Sequence, residues 1–131
     1  MKNHAINTPF APQAIGPYSQ AMWAGATLHL SGQIALDPAG SFQNSDFETE
    51  LRQIFSNIHA ILHAAHGNFS HLRQLTIYVL DFTQFQLLNN IMAELLPTPY
   101  PARTTIAVSA LPKGARVEIA ATAYFSDKHS H

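Results

Sequence analysis

The sequence predicts an α+β fold in which two helices cover one face of a single mixed β-sheet. Short strand patterns occur in runs, and two helical patterns interrupt them. The 131 residues fit one domain with a substantial core, and no repeat, low-complexity block or linker divides them. Because amphipathic helices and half-buried sheets must both cover an apolar side, we expect the helices to pack on the sheet. Residues 1–131 are therefore interpreted as a single domain.

Two strands are predicted in the first third of the chain. The segments YSQAMWA and TLHLSGQIALD have strand character, and a tight turn near Gly25 separates them. Gly16 and Pro17 mark a turn before the first strand, and DPAGSF forms a turn after the second. These two strands begin the predicted sheet.

The clearest helix is predicted from Ser45 to Gly67. Ser45 and Glu48 have the spacing of a capping box, in which the two side chains bond free backbone N–H groups at the helix start. One buried face is predicted to comprise Leu51, Ile54, Phe55, Ile58, Ile61, Leu62 and Ala65. Gly67 suits the left-handed conformation that ends many helices.

A central strand and a second helix follow. LRQLTIYVLDF is apolar on both faces between Leu75 and Leu80, which is typical of a strand with neighbours on both sides. The second helix is predicted to open with a capping-box pair, Thr83 and Gln86, and to end before Pro97. Its predicted apolar face comprises Phe85, Leu88, Met92, Leu95 and Leu96.

The last two strands, at about 104–109 and 117–125, flank the turn LPKGA and are predicted to pair as a hairpin. In the final strand, the side that carries Val117, Ile119 and Ala121 should face the helices. Charged residues make up only 11% of the chain, against roughly 25% in an average soluble protein. We therefore expect further copies of the chain to cover the other, half-polar face.

Composition excludes several classes of function. The net charge is −1, and the seven Lys and Arg residues are scattered, so the basic stripe of a nucleic-acid-binding protein is missing. Without cysteine, the chain has no disulfide framework, thiolate nucleophile or Cys-based zinc site. The sequence MKNHAINTPF lacks the apolar core of a signal peptide, and no apolar run approaches the ~20 residues of a membrane span. We expect a soluble, cytoplasmic protein.

Three polar residues break the local patterns. Arg103 stands at the mouth of a strand, where a surface arginine is the ordinary interpretation. Glu118 lies in the middle of a predicted central strand, on the face that we expect another copy to cover. Exposed strand glutamates are common, but a covered carboxylate must find partners or shift its pKa. Asn89 lies on the apolar face of the second helix and must bond to backbone or ligand, and a structural tie to a loop is favoured.

His59, His63 and His66 form one stripe on the first helix. His59 and His63 have the i, i+4 spacing of paired zinc ligands, but Ala60 stands where the H-E-x-x-H pattern has its general base. The stripe also lies away from the apolar face of the helix. We therefore interpret it as a surface feature, and no metal site is predicted.

Four segments together resemble the reactive intermediate deaminase family (RidA, also called YjgF). They are APQAIGPYSQA, LHLSGQIALDPAG, FQLLNNIMAELL and YPARTTIAVSALPKGARVEIAATAYF. The resemblance runs from about Ala11 to Phe125, and P-A-R-[ST] followed by L-P-K and V-E-I is its most specific part. It implies a chorismate-mutase-like fold, a homotrimer with sites between subunits, and no cofactor. The implied activity is hydrolysis of 2-imino or 2-enamino acids, released by pyridoxal phosphate enzymes, to 2-oxo acids and ammonia.

The family's site residues transfer by motif to seven positions of this chain: Tyr18, Ser31, Gly32, Asn89, Arg103, Thr105 and Glu118. The guanidinium of Arg103 matches a planar carboxylate with two parallel hydrogen bonds. Our hypothesis is that Glu118 and a backbone carbonyl near Thr105 orient a water, which attacks the imine carbon, and that Glu118 passes a proton to the leaving ammonia. The remaining four residues are predicted to bind substrate or water, or to allow its close approach.

Two alternatives remain open from the sequence. Some relatives are described as endoribonucleases or translation inhibitors, although the weak basic content argues against RNA binding. The chain is also compatible with a non-catalytic trimer that binds small carboxylates.

The chain departs from the family pattern at three places. Thr105 replaces a possible cysteine. The connection at 65–75 is a residue longer than expected and lacks acidic positions, which leaves open an effect on assembly or on pocket access. Tyr100, in a proline-rich stretch, is predicted to line the pocket and narrow the substrate range.

Overall fold

The structure, a computed structural model, describes residues 4–126. Within this range, the chain forms six strands and two α-helices. Their bounds are β1 Ala5–Ile6, β2 Ala21–Ala24, β3 Thr27–Gln33, α1 Phe47–Ala64, β4 Leu72–Val79, α2 Phe85–Leu95, β5 Ala102–Ala107 and β6 Val117–Tyr124. Strand β1 was not predicted, because two residues are too few to show a period. No helix in residues 4–126 is both long and apolar enough to cross a bilayer.

The strands form one mixed sheet in the order β1-β2-β3-β6-β4-β5. Strand β6 pairs antiparallel with both β3 and β4, and β5 pairs parallel with β4. The predicted hairpin of the last two strands was therefore wrong, because β4 lies between them. Helix α2 carries the chain back across the sheet and makes β5 parallel to β4, so β6 finds its partners on two earlier strands.

Both helices pack on the same face of the sheet, as predicted. Ile77 of β4 and Ile119 of β6 are completely buried there, against the apolar face of α1. On α2, the predicted face is only partly right. Ile91 is buried at 2% exposure, whereas Phe85 remains 37% exposed. That exposed ring lies on the side of α2 that meets β5, where no other layer covers it.

The helix starts differ from the predicted capping boxes. At α1, the cap is Asp46, whose carboxylate accepts a hydrogen bond of 2.8 Å from the backbone N–H of Thr49. That bond lowers the pKa of Asp46. Ser45 bonds only the Thr49 hydroxyl, and Glu48 pairs with Arg52 at 2.9 Å. The helix begins one residue later than the Ser45 pattern requires.

At α2, Gln84 occupies the cap position without a side-chain bond to the helix. The hydroxyl and N–H of Thr83 instead donate to the carboxylate of Asp81, at 2.6 and 3.0 Å. Thr83 therefore closes a turn before the helix rather than capping it, so the predicted Thr83–Gln86 pair was also wrong.

His66 and Gly67, which follow the C-cap residue of α1, have different roles in ending the helix. His66, not Gly67, adopts the left-handed conformation, with φ of 64°. The N–H of Gly67 donates to the carbonyl of Leu62 at 2.8 Å. A Cβ on Gly67 would stand 2.4 Å from the ring of Phe125. Glycine is therefore needed for packing here and not, as predicted, for its left-handed φ.

Two ion pairs hold the helices in place. The buried carboxylate of Glu50 accepts from the backbone N–H of Arg116 at 2.9 Å and binds the Arg116 guanidinium, which anchors the residue before β6 to α1. Arg52 of α1 binds Glu94 of α2 through two bonds of 2.8 and 2.9 Å. These contacts fix the elements that carry the candidate site.

Candidate functional site

The predicted site residues lie in two cavities. The first, here called the Glu118 hollow, has a volume of about 400 Å³. Four predicted residues line it: Tyr18, Ser31, Gly32 and Glu118. The other three predicted residues are Asn89 of α2 and Arg103 and Thr105 of β5. Arg103 and Thr105 line a second cavity, and Asn89 lines a smaller cavity that also borders Arg103.

Glu118 is positioned by β6, which has neighbours on both sides as predicted. Its carboxylate lies directly over Gly32 of β3: a Cβ on Gly32 would stand 2.1 Å from Oε2. No other residue type leaves this space free. Burial raises the pKa of the Glu118 carboxyl, and within residues 4–126 no cation pairs with it. A half-buried carboxyl of this kind keeps a larger share of its protonated form near neutral pH, which suits general acid–base chemistry.

Ser31 and Tyr18 form the rim of the Glu118 hollow. The pairing of β3 with β6 shifts register between Leu30 and Gln33, which places Ser31 and Gly32 in an irregular stretch of the strand. The Ser31 hydroxyl donates to the carbonyl of Ser19 at 2.5 Å. Its oxygen lone pairs remain available to a ligand. Tyr18 is 53% exposed and lines the same cavity.

The second cavity, here called the Arg103 hollow, has a volume of about 470 Å³ and is lined by Phe82, Phe85, Arg103 and Thr105. Nη1 of Arg103 donates to Oδ1 of Asn89 at 2.7 Å. The guanidinium also lies over the ring of Phe85, 5.2 Å from its centroid. Asn89 was expected to bond to a loop or a ligand. Its partner is instead Arg103 itself, whose Nη1 also lies 3.6 Å from the sulfur of Met92. These two contacts of Nη1 hold the guanidinium in place.

Thr105 lies two residues beyond Arg103, on the same side of β5. Its Oγ1 is buried, and residues 4–126 provide no hydrogen-bond partner for it. A buried hydroxyl without a partner costs on the order of 1–3 kcal/mol. A ligand or water in the hollow would offset that cost by bonding the Thr105 hydroxyl.

The two hollows lie on opposite faces of the sheet. Arg103 pairs with Leu75, whose side chain faces the helices. Glu118 pairs with Tyr78, which pairs in turn with Ile106, on the other face. Residues paired across neighbouring strands point to the same side of a sheet. One protomer therefore does not bring Arg103 and Glu118 together.

Two phenylalanines of the Arg103 hollow were missed as site residues. Phe85 was predicted as part of the α2 core face, and Phe82 was given no role. The signal was an aromatic pair, Phe82 and Phe85, in the segment DFTQF that leads into the first residue of α2. Lys113 was missed as well. It lines the Glu118 hollow and has a left-handed φ of 56°.

The histidine stripe is exposed, as predicted. The rings of His59 and His63 lie 6.3 Å apart. Among the residues that the structure describes, no three His, Cys, Asp or Glu side chains cluster closely enough to hold a metal ion.

Comparison with known proteins identifies the family. The family model described as Endoribonuclease L-PSP matches residues 8–125. A protein of Dermatophagoides farinae named 2-iminobutanoate/2-iminopropanoate deaminase is 41% identical over 115 residues, which span 87% of this chain and 90% of the relative. A human protein of the same name is 40% identical, over 90% of this chain and 87% of its own length.

A solved structure agrees in fold. The crystal structure of RidA from the Antarctic bacterium Psychrobacter sp. superposes with a TM-score of 0.89 at 38% identity, and covers 93% of this chain and 99% of that chain. Together with the motifs around Arg103 and Glu118, these matches show that the chain belongs to the RidA family, described by its family model as Endoribonuclease L-PSP.

Proposed function

We propose that this protein is a hydrolytic deaminase that converts reactive 2-imino and 2-enamino acids, released by pyridoxal phosphate enzymes, into 2-oxo acids and ammonia. The observation that carries the proposal is the guanidinium of Arg103, which Asn89 holds in an otherwise apolar hollow beside an unpaired hydroxyl. Such a fork fits a small planar carboxylate. The deaminase names of the relatives from Dermatophagoides farinae and Homo sapiens support the same reaction.

The proposed active unit is a homotrimer. Because Arg103 and Glu118 lie on opposite faces of their own sheet, one substrate reaches both only when a second copy brings its Glu118 hollow to the Arg103 hollow. The open face carries few charges: Thr76, Ala120 and Thr122 line a shallow depression at its centre. Half-buried small and neutral side chains of this kind suit contact between copies.

In the proposed mechanism, Arg103 binds the substrate carboxylate and thereby orients the imine carbon. Glu118 of a neighbouring copy and a backbone carbonyl near Thr105 hold a water against that carbon. The water oxygen forms a bond to C2, and the C–N bond then breaks. Glu118 takes one proton from the water and gives it to the imine nitrogen, which forms a carbinolamine. It then moves the hydroxyl proton to the amino nitrogen, so that the C=O bond forms as ammonia leaves, and the net change is imine plus water to 2-oxo acid plus ammonia.

Positioning supplies most of the required acceleration. Imines hydrolyse readily in water, so a few kcal/mol suffice, with each ~1.4 kcal/mol giving a factor of ten. Tyr18 and Ser31 are proposed to bond the substrate or the water, and Gly32 permits their close approach to Glu118.

The direct test couples a threonine dehydratase to this protein and follows the loss of the imine. Arg103→Ala is expected to lower kcat/KM about 100-fold, because a truncated charged contact typically costs 2–5 kcal/mol. Arg73→Ala is the matched control, since this exposed arginine bonds only the carbonyls of Ser70 and Leu72. Equal rates for wild type and Arg103→Ala would reject the proposal. Saturable 2-oxo acid binding without faster imine decay would instead identify a carboxylate-binding protein.

A ribonuclease is the second candidate, because the matching family model is described as an endoribonuclease. Cleavage of single-stranded RNA that co-purifies with the protein through repeated chromatography, and that falls with added salt, would support it. The scattered distribution of seven Lys and Arg residues favours the deaminase.

A further inference from the structure

Three aromatic side chains surround Arg103 without belonging to the core. Phe82 is 52% exposed, Phe85 37% and Tyr100 55%, whereas the core ring of Phe55 is buried. Large apolar side chains that cluster at the surface mark sites that bind apolar groups. The aromatic cluster is therefore part of a binding surface that continues outward from the guanidinium.

The three aromatic side chains line two cavities that both border Arg103. Phe82 and Phe85 meet edge to face, with centroids 5.9 Å apart and planes at 84°. A smaller cavity of about 290 Å³ also borders Arg103 and is lined by Met92, Tyr100 and Pro101 among others. Arg103 thus borders two cavities, and both offer apolar side chains to a carboxylic acid bound at the guanidinium.

The position of these rings determines which side chains at C2 of the substrate gain apolar contacts. The proposed mechanism directs the substrate carboxylate to Arg103 and the imine nitrogen to Glu118 of a neighbouring copy. The rings of Phe82 and Phe85, which line the same cavity as Arg103, are then the apolar surface available to the side chain at C2. A methyl or ethyl group covers little of two phenyl rings. A branched or aromatic group covers much more, and each added carbon leaves water for an apolar contact.

We propose that this site prefers 2-imino acids with large apolar or aromatic side chains, such as those formed from leucine, methionine and phenylalanine, over those with a methyl or ethyl group. The inference rests on the proposed deaminase function and adds a substrate class to it. Phe82 is the specificity-determining residue, because its ring lines the Arg103 hollow and is the more exposed of the two phenylalanines there.

The experiment generates each imine in place with a broad-specificity L-amino acid oxidase and catalase, and traps the remaining imine with semicarbazide. Alanine, leucine and phenylalanine are the three starting amino acids. The ratio of kcat/KM for the phenylalanine imine to that for the alanine imine is expected to be at least about 10, since each added apolar group contributes roughly a factor of 10 or more. Phe82→Ala is expected to lower that ratio at least about 5-fold.

Phe10→Ala is the matched control, because Phe10 is 74% exposed and lines neither cavity beside Arg103. It is expected to leave the ratio unchanged. Phe82→Leu, which retains an apolar side chain, should fall between wild type and Phe82→Ala. As a readout that needs no turnover, calorimetry should show tighter binding of phenylpyruvate than of pyruvate to the wild type, and a smaller difference for Phe82→Ala.

The possible results distinguish a failure of the substrate preference from a failure of the deaminase function. If the alanine imine is hydrolysed faster than in buffer but the ratio is near or below one, the substrate class is overturned and the deaminase stands. If Phe82→Ala leaves the ratio of the two kcat/KM values unchanged, Phe82 does not determine specificity, and the inference that the Arg103 hollow selects large side chains is overturned. If no imine decays faster with the protein than without it, the deaminase function itself fails.

Discussion

At the scale of single residues, the contact between Gly32 and Glu118 explains both the position and the raised pKa of the Glu118 carboxyl. The carboxylate occupies the space that a side chain at position 32 would need, so the two positions depend on each other. Burial at this contact is also what raises the pKa of Glu118. Desolvation alone, without a second charge, thus shifts the Glu118 carboxyl toward its protonated form, which is the direction that a general acid requires.

We therefore expect Gly32→Ala to lower imine hydrolysis at least about 10-fold, because the new Cβ displaces the carboxyl that exchanges protons with the substrate. The cost in stability should be small, since Oε2 is the end of a flexible side chain. Activity and urea unfolding, measured on the same preparation, check both statements. Gly16→Ala is the control: its Cβ would meet the ring of Tyr18 at an ordinary 3.6 Å. Wild-type activity in Gly32→Ala would contradict this account.

Sequence reasoning identified Arg103, Glu118 and Asn89 because each breaks an apolar or uncharged pattern. It did not identify their partners. The bond between Asn89 and Arg103 depends on how α2 lies against β5, and no local pattern records that packing. Phe85 was missed because it fits the apolar face of a helix, and only the structure shows that its ring is exposed.

At the scale of elements, patterns located the two helices and the main strands but not their ends or pairings. Asp46 and Ser45 both satisfy the residue preference for a helix cap, and only backbone geometry separates them. The predicted hairpin of the last two strands was wrong for a related reason. Alternation indicates which residues form a strand, whereas the neighbour of β6 depends on the crossover through α2.

The cap assignment predicts a difference between neighbouring substitutions. Asp46→Ala should destabilise the protein at neutral pH, and Ser45→Ala should leave stability nearly unchanged, because only Asp46 bonds the N–H of Thr49. The pKa of Asp46 is lowered in the folded state, so its contribution is present above the ordinary carboxyl pKa and is lost as pH falls through the folded value. Urea unfolding at pH 7 and pH 3 should show the gap between wild type and Asp46→Ala closing at the lower pH. A larger loss from Ser45→Ala would contradict the assignment.

At the scale of the whole molecule, the sheet divides the candidate site. Arg103 faces the helix side and Glu118 the open side, so the proposed chemistry requires a second copy of the chain. The low content of charged residues suggested such a partner from composition alone. Which residue each copy contributes follows only from strand register.

Mixing two inactive variants tests this division. Arg103→Ala and Glu118→Gln should each be nearly inactive alone. When they are refolded together in equal amounts, each site receives an intact Arg103 with probability one half and an intact Glu118 with probability one half. About a quarter of wild-type activity should therefore return. Activity that stays at the level of the separate variants, in mixed trimers verified by two affinity tags, would place both residues of a site in one chain.

The crossover from β4 through α2 to β5 has a further consequence. Every residue on the arginine side of the site, from Phe82 to Thr105, lies on one uninterrupted stretch of chain. The opposite side, with Tyr18, Ser31 and Glu118, lies outside that stretch. We therefore expect a chimaera that takes residues 82–105 from another family member to acquire the substrate preference of the donor and to keep the Glu118 of the recipient. Measuring kcat/KM for several imines with the chimaera and both parents checks this.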